Sequence, residues 1–254
     1  METIGLVAAM PLESTALLRC IKGWKRIELG FYRGFRFQIN DRSCVLITSG
    51  MGLSRAADAT RTLHVKANPD LLISFGIAGA VKDDLNIGDV VVSGNTCLMD
   101  KGLLGKSHPL ASMSREAWNT AAQVLQLHEV RLVSGTALTT RGSQVFPEEC
   151  REIANPILEM ETAGIAQVAA ELKIPLLSIR SISDGPRFPI PFDLEAILDD
   201  KDDIHIGRLL MLVLHNPVII LQSRFIILNS KIAADHAAKV LLAALNQPSP
   251  LLAS

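Results

Sequence analysis

Short apolar runs alternate along this chain with stretches whose apolar residues recur every three or four positions. The runs at residues 4–9, 24–29, 35–39, 44–48, 71–75, 88–93, 130–134, 157–158 and 175–182 read as strands. The periodic stretches at 11–21, 53–67, 115–127 and 161–172 read as helices, the first opened by Pro11, a residue well tolerated in a first helical turn. Turns are expected at Gly30, Gly34 and Asn40-Asp41, with a tight glycine turn at Gly76-Ile77-Ala78-Gly79. Residues 96–113 read as a polar loop, 147–153 as a short helix, and 193–199 and 204 onward as helical. Strands that are apolar throughout, separated by helices, belong to a parallel or mixed sheet covered on both faces. The expected fold class is α/β: a single domain with a central mixed sheet flanked by helices. Its core spans 1–185, and a proline-rich loop (Pro186, Pro189, Pro191) and a helical tail occupy 186–254.

Composition narrows the function. The chain has 254 residues, 48% apolar and 20% charged, which is a globular composition. Its net charge of −1 leaves no basic field to hold a nucleic-acid backbone. Cys20, Cys44, Cys97 and Cys150 are scattered without a CxxC pair, which fits a reducing cytosol. The start, Met1-Glu2-Thr3-Ile4, lacks the basic opening of a signal peptide. Pro217 and Arg224 interrupt the apolar stretch 209–228, so no transmembrane span is expected. The six histidines form no metal spacing, and no GxSxG elbow is present.

Two carboxylates stand out. Glu161, in Leu158-Glu159-Met160-Glu161, and Asp184, in Arg180-Ser181-Ile182-Ser183-Asp184, each follow an apolar strand. A carboxylate there is costly unless it is bonded or used. Breaking a purine glycosidic bond needs a proton for the departing base and an acceptor for the sugar's hydroxyls and developing charge. Asp184 suits the first task and Glu161 the second. The alternative is that both acids cap local backbone. Glu13, in the first turn after the first strand, could activate a water or be an ordinary solvated helix-start glutamate. Ser49-Gly50-Met51-Gly52 and Gly76-Ile77-Ala78-Gly79 offer backbone N–H groups to a ligand or serve as turns. Arg180 either orients Glu13 or Glu161 or is a buried ion-pair partner.

Together these pieces resemble the nucleoside phosphorylase/nucleosidase superfamily, on the branch of methylthioadenosine/S-adenosylhomocysteine nucleosidases. Five segments match in order: Ile4 to Met10 with Glu13, Ser49-Gly50-Met51-Gly52, Phe75-Gly76-Ile77-Ala78-Gly79, Glu159-Met160-Glu161, and Arg180-Ser181-Ile182-Ser183-Asp184. The resemblance implies that Glu13 activates the attacking water with Arg180 nearby. It implies that Glu161 and Met160, with Glu159 beside them, hold the ribose, and that Asp184, positioned by Ser183, protonates adenine. Gly50, Gly52, Gly76, Ile77, Leu138 and Thr139 would complete the substrate site. Ile77 replaces a serine of the pattern and Leu138 an aromatic residue, which points to a different substrate. The tail, with Asp203-Ile204-His205-Ile206-Gly207-Arg208 and His215-Asn216-Pro217, is similar to hopanoid-associated phosphorylases. That similarity implies an adenosine joined to a triterpene, and an apolar tail suits a lipid-bearing substrate or a subunit interface.

The family resemblance also implies a homodimer at the cytoplasmic side, peripheral to the membrane if the substrate is lipid-linked. Two acids and water suffice for the chemistry, so no cofactor or metal is implied. Glu13 stands where a phosphorylase would want arginine, which favours water over phosphate, although Arg55 and Arg141 are candidate phosphate ligands. A phosphate-dependent phosphorylase, a non-catalytic nucleoside-binding module and, on Gly50 and Gly52 alone, a dinucleotide-dependent oxidoreductase are the competing expectations.

Overall fold

Among the described residues, ten strands and five helices emerge in the order β1 (Thr3–Ala8), α1 (Pro11–Arg19), β2 (Lys25–Leu29), β3 (Tyr32–Ile39), β4 (Arg42–Thr48), α2 (Leu53–Ala67), β5 (Leu71–Ala80), β6 (Val90–Asp100), β7 (Leu103–Pro109), α3 (Arg115–Gln126), β8 (Leu132–Thr139), β9 (Pro156–Glu159), α4 (Thr162–Leu172), β10 (Leu176–Asp184) and α5 (Val218–Leu245). They are seen in a computed structural model that describes residues 2–100, 103–126, 128–140, 150, 152–187, 189, 218–248 and 250–253. The short helix expected at 147–153 falls largely outside the described residues. So do the helices expected at 193–199 and 204–217, and Arg141.

One mixed sheet carries all the strands. β1 lies parallel between β4 and β5, and β3 and β2 extend that side as an antiparallel meander. On the other side β5 pairs with both β10 and β9. β10 continues to β6, β6 to β8, and β8 to β9. Those five pairings close a ring, so half of the sheet is a small barrel. Because strand side chains alternate, Ala78, Val91, Ala137, Ile157 and Ile182 turn to one side of this ring, where they form one apolar cluster. Small residues suit so narrow a closure.

The helices cover the two faces. α1, α3 and α5 pack on one face, through residues such as Leu17, Leu125 and Leu241, against Ile4, Leu6, Ile73, Phe75 and Ile179. α2 and α4 pack on the other, through Leu63 and Ile165 against Val7, Ile47 and Leu72. In the second half of α5, Ala233, Ala234, Ala237, Ala238 and Leu241 are buried. At the end of this helix, Arg42 at the start of β4 donates 2.6 Å bonds to the carbonyls of Leu245 and Gln247. One turn after Ile232, His236 meets the Gly88 carbonyl at 3.0 Å, and the Gly88 N–H bonds to Ile182 near the end of β10. α5 therefore runs against the parallel strands, and its first half extends beyond their carboxyl ends.

Three local expectations are corrected. Gly34 is no turn: it lies inside β3 opposite Ile27, where a Cβ would sit 2.7 Å from Leu29 Cδ1. The reversal comes at Gly30-Phe31 instead, with Gly30 at φ +62°. Residues 96–113 are not a loop but mostly the β6–β7 hairpin, whose outer strand is largely exposed and so shows no apolar alternation. Gly76 to Gly79 do not turn either; β5 runs straight through them to Ala80.

Replacing Ala137 by leucine should overpack the apolar cluster of the ring. The expected loss is about 1–3 kcal/mol, read as a lower urea midpoint with an unchanged slope.

Candidate active site

Glu13 is placed by the start of α1. Met10 is extended at the N-cap, Pro11 begins the helix, and Glu13 at the third position reaches back to accept the Met10 N–H at 2.8 Å. Its other oxygen accepts the Ile77 N–H of β5 at 3.0 Å. The side chain is 1% exposed, so the solvated-glutamate alternative fails. Burial raises its pKa, against the opposing pull of Arg180 and the backbone donors.

Glu161 sits at the N-cap of α4 but makes no capping bond there. Its Oε1 accepts the Gly52 N–H at 3.1 Å, across from the start of α2. Gly52 has φ +102°, which only glycine adopts readily, and this directs its N–H to the carboxylate. Glu161 Oε2 lies 3.3 Å from Arg180 Nη1. Burial pushes the Glu161 pKa up to about 7; Arg180 and the Gly52 N–H oppose the rise, and Glu159 and Glu13 add to it.

Arg180 is fully buried at the centre of this group. Nη2 donates to Ser74 Oγ at 2.8 Å and to Glu159 Oε2 at 2.9 Å. Nη1 faces Glu161 and the Ile77 carbonyl. Burial works against its charge, but Glu159, Glu161 and Glu13 outweigh that and raise its pKa. Glu159 is therefore a partner of Arg180, and Thr139 in turn donates a short bond to Glu159. Ser74, Thr139 and Thr162 build the wall behind the arginine. Nothing in the sequence singled out Ser74 or Thr162, since a buried hydroxyl in an apolar run looks like any other small residue.

Asp184 forms a second, separate microsite. Ser183 Oγ donates to its Oδ1 at 2.6 Å. Burial raises its pKa and the Ser183 bond opposes the rise. A shallow, half-open recess lies against it, lined by Lys82, Leu85, Ile182, Pro186 and Arg187 among others. Leu138 belongs to this end. Strand register places Asp184 opposite Gly79, Gly79 opposite Leu158, and Leu158 opposite Leu138. Leu138 is itself buried against Cys97 and Cys150.

The two microsites share β5. A Cβ on Gly76 would lie 2.1 Å from Glu13 Oε1 and 3.0 Å from Arg180 Nη1. A Cβ on Gly79 would lie 2.7 Å from Asp184 Oδ2. These glycines make room for carboxylates instead of bending the chain. Two residues, Ile77 and Ala78, separate them, a backbone span of about 10 Å over three extended steps. Gly79 was missing from the expected site, although its spacing from Gly76 was the available signal. Of the remaining expected residues, Gly50 lies beside the Arg55 side chain, Ile77 supplies backbone to Glu13 and Arg180, and half-buried Met160 links Glu159 to Glu161.

Comparison with known proteins matches this arrangement to a family. Residues 3–203 match the model of the phosphorylase superfamily. The chain belongs to that superfamily, and it is an enzyme of its nucleosidase and nucleoside phosphorylase group. It is 29% identical over 210 residues to the 5'-methylthioadenosine/S-adenosylhomocysteine nucleosidase of Oceanobacillus iheyensis, covering 75% of this chain and 90% of that one. The corresponding enzyme of Shewanella oneidensis is 28% identical over 228 residues, covering 83% and 95%. Among solved structures, the Colwellia psychrerythraea nucleosidase in complex with adenine superposes with a TM-score of 0.71 at 23% identity, over 99% of this chain and 96% of that one. Futalosine hydrolase of Helicobacter pylori gives 0.65 at 19%, over 95% and 96%.

Gly76→Ala should leave the protein folded but force Glu13 away from Arg180, cutting turnover at least 100-fold, about 3 kcal/mol; circular dichroism and initial rates together read this. The raised Glu161 pKa has a stability consequence. A carboxyl whose folded pKa lies above its unfolded value favours folding while protonated, and this contribution is lost as pH rises from about 4.5 to about 7. Wild-type minus Glu161→Gln stability, from melts between pH 4 and 8, should fall through that window.

Proposed function

We propose that the protein releases adenine from a 5′-substituted adenosine by hydrolysis of the N-glycosidic bond. The observation that carries this reading is the pair of carboxyl microsites held apart along β5: Asp184 over Gly79, and Glu13 with Glu161 and Arg180 around Gly76. In this reading Asp184, kept protonated by burial, gives its proton to the purine ring as the bond to the sugar breaks. Glu161 accepts hydrogen bonds from the ribose hydroxyls as charge grows on the sugar. Glu13 takes a proton from the water whose oxygen bonds to the anomeric carbon. One water is consumed, and adenine and a free sugar leave. The nucleosidases and the futalosine hydrolase among the relatives support cleavage of this kind.

Water is favoured over phosphate by local charge. Around Gly76 three carboxylates surround one guanidinium, which is already engaged by Glu159 and Glu161. A dianion entering there would meet net negative charge.

The 5′ substituent in this proposal is apolar, as in an adenosine carried on a triterpene. The first half of α5 exposes Phe225, Ile227 and Leu228, and Ile232 just after its midpoint is exposed as well. Hydrocarbon leaving the sugar end could lie against such a surface. Among the described residues no helix is long and apolar enough to cross a membrane. The family resemblance adds an expected homodimer, which sedimentation would test.

Purified protein should release adenine from methylthioadenosine and from a 5′-alkyl adenosine without phosphate, with higher kcat/KM for the alkyl compound. Strict phosphate dependence with a sugar 1-phosphate product would overturn hydrolysis, and equal rates on both substrates would remove the apolar preference. Asp184→Asn should lower kcat by about 10²–10⁴ with the fold unchanged.

A further inference from the structure

We infer that Glu159 is a positioning residue: it is the dedicated counter-ion of Arg180, bound at Nη2, and it holds the guanidinium so that Nη1 faces Glu13 and Glu161. The inference rests on the proposed reaction only for its kinetic readout.

Geometry separates Glu159 from the other two acids. Its Oε2 accepts four donors: Arg180 Nη2 at 2.9 Å, the Thr162 N–H and hydroxyl each at 2.7 Å, and the Glu161 N–H at 3.0 Å. Its Oε1 accepts the Thr139 hydroxyl, which itself accepts the Ala163 N–H at 2.9 Å. Its side chain is 1% exposed and both oxygens are bonded to protein donors, so Glu159 presents no open face to a sugar hydroxyl. It belongs to the frame, where the sequence pattern had placed it beside the ribose.

The guanidinium is divided accordingly. Nη2 is bound to Glu159, Ser74 and Thr162. Nη1 is left for Glu161 Oε2 and, across the missing Gly76 side chain, for Glu13. The charged groups acting on Glu161 are thus Arg180, Glu159 and Glu13. One positive charge serves three buried carboxylates. Burial raises both Glu13 and Glu161, and the neighbouring acids add to the rise at Glu161 while Arg180 opposes it. This is why a site walled by acids can still hold a proton near neutral pH.

Glu159→Gln keeps the shape and removes the charge. In that variant Arg180 would be released to Glu13 and Glu161, so both should ionise at lower pH. Glutamate side-chain carboxyls, followed by carbon-13 NMR between pH 4 and 9, should show the raised Glu titration moving down by roughly one unit. This readout needs no turnover, so it is independent of the proposed reaction. Wild-type protein that releases no adenine would count against that reaction alone. With an active enzyme, the acid limb of kcat should move the same way, kcat should fall about tenfold or more, and KM should stay within about twofold. An unmoved titration, or a rise in KM alone, would overturn the assignment and return Glu159 to the substrate. If Glu159→Gln does not fold, Ser74→Ala decides, because it loosens Nη2 without touching any charge. It should lower kcat severalfold at constant KM and constant titration; wild-type kcat would overturn the anchoring role.

Discussion

Burying one guanidinium among three carboxylates costs many kcal/mol in lost hydration unless donors and acceptors are matched one to one. Arg180 meets much of that demand at its two terminal nitrogens, through Ser74 of β5, Glu159 of β9, Thr162 of α4 and Glu161 at the bend between β9 and α4, while its buried Nε makes no hydrogen bond. β5, β9 and β10 must be neighbours for this to happen, and the closed ring of strands makes them so. The barrel and the arginine therefore depend on each other. An open sheet would leave β9 far from β10 and the guanidinium short of an anion. Removing the arginine would leave carboxylates in the ring with no cation among the residues that contact them.

Much of this was legible in the chain. Nearly every strand and helix of the core was expected where it lies, because buried strands show as apolar runs and covering helices show the 3.6-residue period. The acids were legible too, since Glu13, Glu161 and Asp184 each end an apolar element where a charge is out of place. Other features were hidden for physical reasons. Gly76 and Gly79 read as a turn because glycine serves both turning and close approach, and only the third dimension shows the Glu13 and Asp184 oxygens beside them. β7 carries no burial alternation, so it passed for a loop. Closure of the ring leaves no local trace, since β5 pairs with β10 across about a hundred residues. Glu159 and Glu161 are two residues apart and chemically alike. What separates them is hydrogen bonding, which sequence does not display.

The two ends of the site are electrostatically distinct. At Asp184 burial acts with only a serine hydroxyl against it, and no charged group contributes. Around Gly76 burial competes with a guanidinium and with neighbouring acids. Burial thus raises the acids at both ends, but only those around Gly76 have a counter-ion that opposes the rise.

The cover of the α1 face comes from far along the chain. β1 begins at Thr3, yet the cluster that holds Ile4 and Leu6 is completed by α5, which begins at Val218. A ribosome adding about 5–20 residues per second needs roughly 10–40 s to pass from one to the other. During that interval the apolar face of β1, β5 and finally β10 is built up with only α1 and α3 to cover it. The nascent protein thus presents a broad sticky sheet late into synthesis, and its yield in a cell depends on how well that surface is shielded until the helix arrives.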